Sequence, residues 1–112
     1  MPTFARFEEI EAWQSARILA RQVYSLTSEG SWSRDYGLRD QIRRSAVSVM
    51  SNIAEGYECD ARPQFLRFLS YAKGSAGEVR SQLYIALDAG YIGQPVFSAM
   101  SDLAEKCSRQ LA

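Results

Sequence analysis

The sequence predicts an all-α fold, an up-down-up-down antiparallel four-helix bundle. Three observations carry this. Apolar residues recur at three- and four-residue steps over four long segments. Short connections marked by glycine and proline separate the segments, and short links favour antiparallel neighbours. No strand-like alternation of comparable length competes. The helices are expected at about 4–29, 36–58, 61–89 and 95–111, within one domain spanning residues 1–112.

In the first segment Phe7, Ile10, Trp13, Ala20 and Thr27 step along one face, and Ile18 and Leu19 widen it towards a second neighbour. Glu8, Glu9 and Glu11 precede Arg17 and Arg21, an order that suits the helix dipole. Gly30 is a plausible stop. Trp32 in the connection reads as a lid over the bundle end or as an anchor between subunits. Trp13 reads as packing.

The second segment opens with Ser33 or Asp35 as a cap. Leu38, Ile42, Ala46, Val49 and Ile53 form its main stripe; Val47, Met50, Ala54 and Tyr57 form another. Gly56 either closes the helix or admits a neighbouring backbone. The stretch 41–57, QIRRSAVSVMSNIAEGY, is the most helical in the chain and yet unusually polar.

Asp60 is the expected cap of the third helix, with Pro63 in the tolerated first turn. Phe65, Ala72, Ala76, Val79, Leu83 and Ala86 carry its periodicity. Gly74 and Gly77 interrupt it at a cost of roughly 1 kcal/mol each, which points to close helix–helix contact or a kink. Gln94-Pro95 opens the last helix, where Met100, Cys107 and Leu111 lie on the apolar stripe.

Composition narrows the function. Apolar residues make up 46% of the chain and charged residues 23%, an ordinary balance. No run of apolar residues is long enough to span a membrane, and the first residues lack a signal-peptide pattern, so the expected location is cytoplasmic. Histidine is absent, which removes the commonest general base and zinc ligand. Cys59 and Cys107 form neither a metal-ligand spacing nor a disulfide framework. Glu55 and Glu78 belong to no Glu-x-x-His motif, and KGSAGE lacks the end of a phosphate-binding loop. No cofactor or metal is expected, and the chain reads as a non-enzyme. Thirteen basic residues balance thirteen acidic ones, whereas nucleic-acid binders usually carry a positive excess.

The stretch YGLRDQIRRSAVSVMSNIAEGY, supported by FLRFLSYAKGSAGEVRSQLYIALDAGYI and by FEEIEAWQSARILARQVYSLT, resembles the four-helix-bundle family of 23S rRNA-intervening-sequence proteins. The resemblance implies a small bundle that assembles as a ring-like homopentamer, with no firmly established activity. A related branch is the accessory variability protein of diversity-generating retroelements, which is strongly basic and thought to bind nucleic acid; this chain lacks that charge.

Two readings of the polar residues follow. In the first, Arg43, Arg44, Asn52, Glu55, Arg67 and Glu78 form a hydrogen-bonded network between helices or between subunits, since buried polar groups need partners. In the second, Arg39, Arg43, Arg44, Arg62, Arg67 and Lys73 contact RNA or DNA, with Tyr36, Tyr57 and Tyr71 as stacking surfaces. Residues 39–73 hold six basic and four acidic side chains, a modest excess. The favoured expectation is a homo-oligomeric scaffold or accessory protein. A nucleic-acid-binding accessory protein is the alternative.

Overall fold

The computed structural model describes residues 4–111. Four helices, α1 (Glu11–Thr27), α2 (Tyr36–Glu58), α3 (Arg62–Asp88) and α4 (Gln94–Gln110), pack up-down-up-down. Each packs on its neighbours in sequence and α1 closes on α4, so α1 lies diagonally across from α3. The longest extent is 44 Å, close to the roughly 40 Å of the 27-residue α3.

The core is built largely from small residues. Ala12, Ala16, Ala46, Ala72, Ala76, Ala86 and Ala104 are buried beside Leu19, Val23, Ile42, Val49, Ile53, Val79, Leu83 and Met100. Alanines at the seams bring helix axes together, and the larger aliphatics fill the centre. Among the glycines, contact is tightest at Gly56, where an added Cβ would sit 2.8 Å from Phe68 Cβ and 3.3 Å from the Phe65 carbonyl oxygen. Gly56 therefore admits a neighbour and does not end α2, which continues to Glu58.

The helix ends follow local chemistry. Asp35 caps α2, its Oδ1 accepting from the Leu38 amide at 3.2 Å. The same carboxylate takes the Tyr91 hydroxyl on Oδ2 at 2.8 Å, and this bond raises the Tyr91 phenol above its ordinary value. Tyr91 stacks on Trp32 at 5.9 Å. Trp32 is 2% exposed within the single chain, so it closes the end of the bundle.

Three expectations change. Residues before Glu11 do not extend α1: Phe7–Glu9 form a 3-10 turn and Ile10 is extended, with ψ 123. Phe7 meets Trp13 edge-on at 5.3 Å, and Gln14 Nε2 donates to the Glu8 carbonyl at 2.9 Å; both contacts fold the entry back across the helix. Asp60 does not cap α3. Ala61 holds that position without a side-chain bond, and Pro63 lies in the first turn. Gly74 and Gly77 do not serve contact within the chain, because a Cβ at either would meet nothing within 4 Å. α3 runs unbroken past both.

Two outcomes follow from this packing. Gly56→Ala gains about 1 kcal/mol of helix propensity but forces α2 and α3 apart, and overpacking of this kind costs about 1–3 kcal/mol. We expect a net loss, read as a lower thermal midpoint; an unchanged or higher midpoint contradicts the close approach. The second outcome concerns the thiols. Cys107 is buried, and burial pushes its thiol up to about 11, while Cys59 is half-buried at the end of α2. A raised folded value means that the neutral thiol's contribution to stability is complete below the ordinary thiol range and fades as pH climbs through about 11. At pH 8, iodoacetamide should therefore modify Cys59 at least tenfold faster than Cys107, as read by mass spectrometry of the digested protein; equal rates would contradict this.

Candidate functional site

The polar residues of α2 divide between two sides of the helix. On the α3 side, Asn52 Nδ2 donates to the Ser48 carbonyl and hydroxyl, both at 2.9 Å. Ser75 of α3 donates its hydroxyl to Ser48 Oγ at 2.8 Å. This relay links the two longest helices across a seam of small residues, and Ser75 is 7% exposed.

On the α1 side, Arg43 is held at three points. Its Nε donates to Thr27 Oγ1 at 2.8 Å, and its Nη2 donates to Ser28 Oγ at 3.2 Å. Its guanidinium lies over the Tyr24 ring, 4.5 Å from the centroid, a cation–π contact. Thr27 is fully buried and donates its own proton to the Val23 carbonyl at 2.7 Å. The last turn of α1 thus fixes the side chain.

Arg44 is exposed on the outer ridge of α2. It borders two adjoining clefts, both also lined by Ser48. The larger, about 630 Å³, lies towards α1 and includes Tyr24, Asp40, Arg43 and Ser51. The smaller lies towards α3 and includes Gln41, Ser45 and Glu78. Asp40 is joined to Arg39 Nε at 2.8 Å. Its carboxyl is held below the usual range first by that bond and further by the charges of Arg44 and Arg43.

Within the single chain, the six expected residues are not joined into one network between helices. Arg43 and Asn52 are engaged, but with Thr27, Ser28 and Ser48. Among the described residues, no ion pair links Arg43, Arg44 or Arg67 to Glu55 or Glu78. Glu55, Arg67 and Glu78 are exposed. Glu78 shares a cleft with Arg44 without pairing to it. Thr27, Ser28, Tyr24 and Ser75 were not singled out from the sequence as partners. Thr27 lay on the α1 stripe, which was the one available signal.

Nor do the six expected nucleic-acid contacts form one patch. Arg39, Arg43 and Arg44 cluster near the start of α2, and Arg39 also lies over Tyr36 at 4.8 Å. Arg62, Arg67 and Lys73 are exposed on the first half of α3. The Ser48–Ser75 bond puts Arg44 level with Val79, so Arg62 lies about 26 Å further along the bundle at 1.5 Å per residue. Of the expected stacking tyrosines, Tyr57 gives its hydroxyl to the Phe4 carbonyl and Tyr71 meets Phe68 edge-on.

Among the described residues, no group of three or more His, Cys, Asp or Glu side chains could hold a metal ion. No helix among them is long and apolar enough to cross a membrane.

Comparison with known proteins places this arrangement. No protein with a curated description matches the sequence. A crystal structure of a protein of unknown function from the S23 ribosomal protein family of Bacteroides thetaiotaomicron is similar, with a TM-score of 0.82. The match covers 89% of this chain and 90% of that one at 19% identity, so the likeness is one of fold. Residues 8–112 match the model of the 23S rRNA-intervening sequence protein family. With nearly its whole length matched, the chain belongs to the 23S rRNA-intervening sequence protein family.

Proposed function

We propose that the protein is a non-enzymatic scaffold that assembles with copies of itself, using the outer face of α3 as a contact surface. The observation that carries this is the pair Gly74 and Gly77. Each weakens the middle of a long helix by about 1 kcal/mol, and a side chain's Cβ at either would meet nothing within 4 Å beyond its own helix backbone. The close contact that such a strip allows is therefore open to another molecule.

The surroundings support the same reading. Ser70 and Ser81 extend the strip by one turn in each direction, and both are exposed. Beside it Leu66, Tyr71, Tyr84 and Ile85 are 48%, 52%, 56% and 54% exposed. Four large apolar side chains half in water on one helix are a cost to a solitary bundle. Aromatic side chains flanking a close-packed strip suit a protein interface.

The family resemblance adds the number five and a ring. A ring requires two different faces to meet. The far side of the bundle offers one: Ile18 of α1 and Val96 of α4 are 43% and 38% exposed. Because α1 is diagonal to α3, Ile18 lies away from the α3 strip, as head-to-tail contact demands.

Light scattering coupled to size exclusion tests the proposal. The wild type should run as an oligomer at micromolar concentration. Replacing Gly74 and Gly77 together by glutamine fills the strip while improving helix propensity. The variant should melt no lower as a monomer and assemble at least tenfold more weakly. A monomeric wild type, or a variant that assembles unchanged, would overturn the scaffold reading.

A further inference from the structure

The larger cleft beside α2 carries a separate inference. Its polar lining is two arginines, two serines, a tyrosine and one carboxylate, Asp40. Arginine has five N–H donors; Arg43 spends one on Thr27 and one on Ser28. The remaining three have no partner among the described residues, while the guanidinium is already fixed by those bonds and by Tyr24. The rotamer entropy of a long side chain has been removed in advance, which favours binding at that point. Arg44 stands beside it and makes no ion pair among the described residues.

The hydroxyls add to this. Ser48 accepts from Asn52 and from Ser75. The Ser48 hydroxyl rotates, so it can turn its own proton towards the cleft. Ser51 lines the same cleft. The one acidic residue there, Asp40, is bound to Arg39. Arg43 and Arg44 against Asp40 leave one net positive charge in the lining itself, and Arg39, outside the lining, offsets Asp40. Glu78 faces the adjoining cleft on the far side of Arg44.

We infer that the cleft formed by Arg43, Arg44, Ser48 and Ser51 is a binding site for a phosphate group. With both guanidinium groups bidentate and both hydroxyls donating, six hydrogen bonds converge, within the capacity of a phosphate's oxygens and beyond the roughly four lone-pair sites of a carboxylate. At about 630 Å³ the cleft is also larger than one phosphate; it holds the group as part of a bigger molecule. A phosphorylated small molecule and a nucleic-acid strand both present that chemistry. The site lies on α2, away from the α3 strip, and does not depend on self-assembly.

The test is titration calorimetry of the full chain at 50 mM and 300 mM salt with three probes: pyrophosphate, adenosine diphosphate and a twenty-nucleotide single-stranded RNA. At least one probe should bind at the lower salt and weaken at the higher, because phosphate contacts displace counterions. Arg44→Gln should weaken it at least tenfold. This side chain is exposed, so the fold should survive, and light scattering should show unchanged assembly. The double variant Arg62→Gln/Arg67→Gln, on the remote part of α3, should change small-probe binding less than twofold. Binding of the small probes marks a site for the phosphate itself, and binding of RNA alone marks one that reads phosphate within a strand; both support the site when Arg44→Gln weakens them at least tenfold. No binding at 50 mM salt by any probe, or binding unaffected by Arg44→Gln, overturns it.

Discussion

The close approach of α2 and α3 governs the rest of the structure. Gly56 leaves no room for even a methyl group against Phe68. Further along the seam Ser48 and Ser75 are within hydrogen-bonding distance of one another, and Ala46, Ala72 and Ala76 are fully buried. A seam this narrow cannot hold an arginine and a glutamate between the helices. Burying such a pair requires space for both side chains and compensation for the water each loses. The Ser48–Ser75–Asn52 relay meets the same need for polar partners with far less volume. The larger charged groups of α2 are consequently displaced from the α3 side.

That displacement decides where Arg43 and Arg44 go. Arg43 turns to the end of α1, where Thr27 is buried and Ser28 and Tyr24 flank it. Thr27 connects the two helices because its hydroxyl donates to its own helix and accepts from the next. Arg44 is left on the ridge between two clefts. The cleft beside α2 is thus a by-product of small-residue packing on the opposite side of the same helix. Its arginines are adjacent in sequence, one fixed and one free.

The architecture was legible because its signals are local. Asp35, one of the two caps that residue type allowed, caps α2, and Pro95 opens α4 where residue type places it. The stripes of α2 and α4 recur at the helical period. The start of α1 was not legible, since the break at Ile10 depends on Phe7 reaching Trp13. The partners of the polar residues were hidden for a related reason. Helical spacing gives a side chain's direction around its own axis, but not which neighbour stands there or how close it comes. Arg43 meets Thr27 sixteen residues away, and finding that pair requires the relative height of α1 and α2. Gly74 and Gly77 pointed to close approach by a neighbouring helix, but within this chain a Cβ at either would meet nothing within 4 Å.

Zero net charge does not weigh against an anion site of this kind. Exposed charges further apart than about 8–10 Å are largely screened at physiological ionic strength. The acidic residues that balance the count include Glu8, Glu9 and Glu11 near the start of α1 and Glu55, Glu58 and Asp60 at and just beyond the end of α2. Those groups lie towards the opposite end of the bundle from Arg43, separated from it by several turns of α1 or α2. What a bound phosphate senses is the local set, in which Asp40 is already committed to Arg39. The Asp40 carboxyl is lowered first by its bond to Arg39, and Arg44 and Arg43 add smaller contributions in the same direction. A neutral chain can therefore present a small positive site on one ridge and an uncharged glycine strip on another helix. Each can serve a different partner without the long-range attraction that a uniformly basic surface would exert.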